Sequence, residues 1–135
     1  MARGHSDGDN AWLRDITGET PLHRQLVSGW VINGRITSQG FKPTKKDNDI
    51  LSLAHGDLVT PIESQRLHRQ RGHQSDAVAT VNGSDCWDVD LIPVHDAKPA
   101  EEHVSLPFPV DASNSQKSNI ARRLAAKATL TVPQS

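Results

Sequence analysis

Residues 60–73, TPIESQRLHRQRGH, carry Arg66, Arg69 and Arg71, with His68 and His73 beside them. Guanidinium groups present paired N–H donors that match phosphate oxygens. On a helix, Arg66 and Arg69 fall on one face and can clamp a phosphate backbone. Arg122 and Arg123, with Lys127, would extend that surface if the last helix lay nearby. The stacking aromatics of a single-strand binder are missing from this stretch, and no zinc-finger, RNP or helix-turn-helix pattern occurs. The competing reading is an ordinary solvated helix end, in which the arginines oppose the negative pole of the helix dipole.

A second group is His95, Asp96, Glu101, Glu102 and His103. Imidazole and carboxylate are zinc-type ligands, and His95 and His103 are the candidates here. They meet only if the intervening loop folds back, and the spacing matches no compact metal motif. Ser52, His55 and Asp57 supply the residue types of a nucleophilic triad. They are packed into six residues, whereas triads converge from separate elements, and no G-x-S-x-G elbow accompanies them. Cys86, the single cysteine, reads as buried packing rather than a nucleophile.

The elements that must position these groups fit a small α+β fold: a mainly antiparallel sheet with two or three helices packed on one face. Thr60-Pro61 with Glu63 spells a capping box, so a helix is expected from Pro61 to about Arg71, with Gly72 as its stop. Asn33-Gly34 between apolar pairs is a hairpin turn. ILSLA reads as a strand. HVSLPFPV reads as an edge strand because of Pro107 and Pro109. NGSD at 82–85 reads as a second hairpin turn, followed by a strand on which Trp87, Val89 and Leu91 alternate with Asp88 and Asp90. Leu22, Leu26 and Val27 suit one face of a short helix. Ser115 or Ser118 would cap a last helix whose stripe includes Ile120 and Leu124.

The chain has 135 residues, a formal net charge of -1, 35% hydrophobic residues and no Tyr. One domain over 11–130 is expected, between a disordered segment 1–10 and a frayed end 131–135. A single cysteine excludes a disulfide within the chain and favours a cytoplasmic setting. No apolar run of membrane-spanning length occurs. Balanced charge leaves no global field to steer the chain to DNA or membranes.

The order Arg24 or Arg35, then Ser52, then Glu102 resembles the Arg–Ser–Glu order of ADP-ribosyltransferases, small split-sheet enzymes that hold NAD. That resemblance implies NAD as cofactor, with Arg35, Ser52 and Glu102 as site residues. The chain departs from the family in lacking its Ser-Thr-Ser run and Glu-x-Glu pair; without Tyr it also lacks the His-Tyr-Glu class. Residues 29–108, with Phe-x-Pro before a Leu-Ser strand and a later His-Val strand, are similar to small bacterial proteins of no assigned function. That likeness implies an accessory role, such as one in phage defence. With no convincing catalytic constellation, the leading expectation is a non-catalytic module that docks to a partner protein through Ile120 and Leu124. Nucleic-acid binding through Arg66, Arg69, Arg71, Arg122 and Arg123 and an NAD-using transferase are the alternatives.

Overall fold

The computed structural model describes residues 15–132. The segment 1–10, expected to be disordered, and residues 133–135 of the expected frayed end lie outside that range. Among the described residues there are seven strands: β1 (Pro21–Leu26), β2 (Val31–Ile32), β3 (Arg35–Ile36), β4 (Ile50–His55), β5 (Ala77–Asn82), β6 (His103–Pro107) and β7 (Thr129–Thr131). Three α-helices join them: α1 (Pro61–Gln70), α2 (Gly83–Trp87) and α3 (Asn114–Lys127). The main sheet has the order β6-β4-β1-β5-β7, with antiparallel neighbours throughout. β2 and β3 form the expected hairpin, and Asn33 and Gly34 take positive φ of 52° and 75°. The α+β class therefore holds.

The two faces of the sheet are chemically unlike. Side chains alternate along a strand, so Leu22 and Leu26 of β1 face one way and His23 and Gln25 the other. Leu51 and Leu53 of β4, Ala77, Ala79 and Val81 of β5, and Val104 and Leu106 of β6 join Leu22 and Leu26 in one apolar cluster. Ala121 and Leu124 of α3 close that cluster, with Phe41 from a 3-10 turn at Ser38–Phe41. The opposite face carries His23, Gln25, Ser52 and His103, and α1 lies on it. Gln25 Nε2 donates to Ser64 Oγ of α1 at 2.9 Å, and Ser75 Oγ donates to Gln25 Oε1 at 2.6 Å. Helices thus cover both faces, a correction to the expectation of one. The buried residues of α1 are Ser64 and Gln65, so hydrogen bonds, not apolar burial, dock this helix.

Local signals explain where sequence expectations held. Thr60 and Glu63 form the reciprocal cap of α1, with Glu63 N donating to Thr60 Oγ1 at 3.1 Å and Thr60 N to Glu63 Oε1 at 2.8 Å. β6 sits at the sheet edge, where its final residue Pro107 is tolerated, and Pro109 lies just past its end. Other expectations fail for identifiable reasons. Leu22 and Leu26 are four apart, which suits a helix face and a strand face equally; they lie on a central strand. NGSD does not turn a hairpin. Asn82 N donates to Asp85 Oδ2 at 2.8 Å, a helix-start bond, and α2 follows in place of the expected strand at Trp87, Val89 and Leu91. Ser113, not Ser115 or Ser118, caps α3. Thr131, expected in the frayed end, pairs with Val78 in β7.

One polar contact is built into the apolar side. Lys117 of α3 and Asp49, just before β4, form an ion pair at 2.7 Å with both side chains about nine-tenths buried. Removing one partner strands the other charge away from water. Lys117→Met should therefore lower stability by about 3 kcal/mol. Adding Asp49→Asn to that variant should restore much of the loss, because no buried charge then remains. Urea denaturation of wild type, single and double variants measures both steps.

Candidate functional site

β1 and β4 pair over only two residue couples, Leu22 with His55 and His23 with Ala54. By contrast β1 pairs with β5 over six and β4 with β6 over five. Beyond His23 the two strands part, and Arg24 enters the gap. Its Nε donates to Gly40 O at 2.8 Å and its NH1 to Ser52 O at 3.3 Å, satisfying a β4 carbonyl that the ladder leaves without β1. The guanidinium lies 5.6 Å from the Trp30 ring centroid, within cation–π range. Among the described residues no carboxylate lies within ion-pair distance of Arg24. Burial draws its pKa down to about 10, so it stays charged at neutral pH.

The split opens a cleft of about 280 Å³ on the polar face. β1 contributes Arg24 and Gln25, β4 contributes Ser52, α1 and the turn after it contribute His68, Arg71 and His73, and β6 with its approach contributes Glu102 and His103. Arg71 NH1 donates to Glu102 Oε2 at 2.6 Å and so spans from the end of α1 to the start of β6. Burial works against ionised Glu102, but the Arg71 hydrogen bond and charge hold its carboxyl below the usual range. His68 and His73 lie with ring centroids 4.8 Å apart. Burial, followed by the fields of His73, Arg24 and Arg71, lowers the His68 pKa to about 4. His23 is held differently: its Nε2 donates to Val59 O at 3.0 Å and its Nδ1 meets Thr80 Oγ1 at 2.9 Å. Burial lowers its pKa, so it is a neutral structural ring.

Beside the cleft, Ser52, His103 and Asp96 are connected. His103 Nδ1 is 2.7 Å from Asp96 Oδ1, and His103 Nε2 is 3.1 Å from Ser52 Oγ. Ser105 Oγ donates to Asp96 Oδ2 at 2.6 Å. Burial opposes the charge of Asp96, but the hydrogen bonds from Ser105 and His103 keep its carboxyl below its ordinary pKa. The register places these groups. Ser52 pairs with Ser105 and Ala54 with His103, so Ser52 and His103 are diagonal neighbours on one face. Val94 bridges to Ser105 on the outer side of β6 with reciprocal 2.9 Å backbone bonds, which brings Asp96 alongside.

The sequence places Ser52 with Glu102 in one candidate set and Glu102 with His103 in another, and the structure brings all three to the cleft. The sequence also groups Ser52 with His55 and Asp57, but those residues are engaged with each other: Asp57 N donates to His55 Nδ1 at 3.2 Å. The missed signal is the likeness of two strands, LSL in β4 and VSL in β6, whose in-register pairing sets the histidine of HVSL beside Ser52. Of the two early arginines, Arg24 meets Ser52 and Glu102 at the cleft; Arg35, on the β2–β3 hairpin, is not among the cleft-lining residues. His95 and His103 do not converge as a ligand pair. His95 packs edge-on to His55 at 4.9 Å while His103 serves Asp96 and Ser52. Among the described residues no group of three or more His, Cys, Asp or Glu could hold a metal ion.

The arginines are divided. Arg69 donates through Nε and NH2 to Ser75 O at 2.9 and 2.6 Å, which ties α1 to the approach of β5. Arg71 is on the cleft and Arg66 is exposed on α1. Arg122 and Arg123 sit on α3, on the other side of the sheet, and so do not extend the α1 cluster; they bond to Asn119 Oδ1 and Asp88 O. Leu124 is fully buried and Ile120 packs against the chain's own core, so this stripe is turned inward. Cys86 is fully buried on α2, and burial pushes its thiol up to about 12, which leaves no thiolate at neutral pH. No helix among the described residues is long and apolar enough to cross a membrane.

A pH prediction follows from His68. Its folded-state pKa lies below the unfolded value of 6.5, so the unfolded chain takes up the proton first as pH falls. Its contribution to stability is complete above pH 6.5 and is lost progressively as pH drops through about 4. His68→Gln should weaken the acid dependence over that window, measured by denaturant midpoints at stepped pH. Nuclear magnetic resonance should place the His68 imidazole titration near pH 4 in the wild type.

Set against protein-family models, curated proteins and solved structures, the chain finds no match.

Proposed function

We propose that the cleft between β1 and β4 binds a phosphate-bearing nucleotide, with NAD as the ligand class, in the manner of an ADP-ribosyltransferase-like protein. The observation that carries this reading is the meeting of Arg24, Ser52 and Glu102 at one cleft from three distant parts of the chain. Arg24 brings a part-buried charge that makes no ion pair among the described residues, and Arg71 a second guanidinium at the same cleft. Both suit pyrophosphate oxygens. The Trp30 ring, which also lines the cleft, offers a flat apolar surface to a base. Ser52 and Glu102 suit ribose hydroxyls, the serine as donor or acceptor and the carboxylate as acceptor.

The cleft volume of about 280 Å³ lies at the lower end of small-molecule sites, roughly 300 Å³. It therefore suits one half of a dinucleotide, with the remainder along the open mouth. A protein partner, the leading expectation from sequence, would have to be met away from the inward-turned Ile120–Leu124 stripe.

Isothermal titration with NAD tests the proposal. Saturable binding tighter than about 1 mM is expected. Arg71→Ala should weaken it about tenfold through loss of one charged hydrogen bond. Arg71 is part-exposed but its loss leaves the largely buried Glu102 without its partner, so the melting temperature of that variant is measured alongside. Absence of binding by folded wild type would reject NAD as the ligand.

A further inference from the structure

Ser52, His103 and Asp96 stand in the relation of nucleophile, base and orienting carboxylate. An ionised carboxylate only accepts hydrogen bonds, so the 2.7 Å contact with Asp96 places a proton on His103 Nδ1. In the neutral ring Nε2 is then a lone pair, and it lies 3.1 Å from Ser52 Oγ, whose hydroxyl donates to it. The second oxygen of Asp96 is occupied by Ser105 at 2.6 Å, which fixes the carboxylate's orientation. Asp96 is also anchored through Ala97 N, which donates to His103 O at 3.1 Å. Each side chain is therefore held by a partner beyond it, the pattern by which a serine hydroxyl is activated on unrelated folds.

Accessibility agrees with geometry. Ser52 is exposed, unlike its strand neighbours Leu51 and Leu53. Ser52 and His103 both line the cleft, with Arg24 and Arg71 at the same cleft. Arg71 is offset there by Glu102, whereas Arg24 makes no ion pair among the described residues and favours the negative charge that develops when an alkoxide adds to a carbonyl.

We propose that Ser52 is a nucleophile activated by His103 and positioned by Asp96, acting on acyl esters that carry a negative charge elsewhere in the molecule. Ser52 Oγ bonds to the acyl carbon while its proton passes to His103 Nε2. The C–O bond to the leaving alcohol breaks, the alcohol oxygen keeps the electron pair, and His103 returns the proton to it. Water then adds to the acyl-serine, giving its proton to His103, and the acid leaves as Ser52 regains its hydrogen. This proposal rests on the hydrogen-bond relay and stands whether or not the cleft takes NAD.

The test is a serine-directed fluorophosphonate probe, read by intact mass and peptide mapping at pH 8. The serine oxygen displaces fluoride from phosphorus and the serine proton goes to His103, so labelling reports activation without the natural ester. Wild type should carry one label, on Ser52, and Ser52→Ala none. His103→Gln should slow labelling at least about a hundredfold and remove its rise with pH. Asp96→Asn should slow it at least about tenfold and change its pH profile, with the melting temperature checked for each variant. Folded wild type that remains unlabelled at Ser52, or labels equally fast as His103→Gln, overturns the assignment.

Discussion

The early parting of β1 and β4 is the constraint on which the site depends. A sheet that paired these strands along their length would close the space between them. Here the ladder stops after His23, and the Arg24 guanidinium takes over a β4 carbonyl and that of Gly40. An arginine in this gap must stay charged, because its pKa, even drawn down to about 10, lies above neutral pH. The gap therefore carries fixed positive charge along its edge. Burial lowers the pKa of His68 on α1, and the fields of His73, Arg24 and Arg71 lower it further.

The division of labour between the two sheet faces lets this be tolerated. Apolar burial is concentrated on the α3 side, where Leu22, Leu26, Phe41, Leu106 and Leu124 are fully buried. The other face is joined to α1 by Gln25, Ser64, Gln65 and Ser75, directional contacts that fix a helix without filling the space beside it. Polar groups on that face are held rather than packed over. Asp96 illustrates the point, being set by an edge-strand bridge at Val94 and a bond from Ser105. Substitutions at Ser52 or Arg71 consequently leave the core untouched.

Much of the fold was legible where a signal was local. The α1 cap, the Asn33-Gly34 turn and the proline-marked edge strand all depend on residues within a few positions of one another. The errors arose where one pattern served two structures. Leu22 and Leu26 match both periods, and Asn82-Gly83 begins a helix as readily as a turn. The site was legible residue by residue but not as an arrangement. Ser52, Glu102 and His103 each drew notice for its chemistry, yet nothing local tells which histidine serves Ser52. That is decided by the β4–β6 register, a pairing across about fifty residues that only the sheet reveals. The choice of Arg24 over Arg35 is likewise a matter of which strand runs beside β4.

The central claim is that the split between β1 and β4 is the functional centre of this protein. Amide chemical-shift mapping of the isotope-labelled chain during titration with NAD tests it most directly. The account predicts shifts concentrated at residues 23–25, 52–54, 68–74 and 99–103, which surround the cleft. Shifts centred on α3 and the apolar side, or no shifts anywhere in the folded protein, would contradict it.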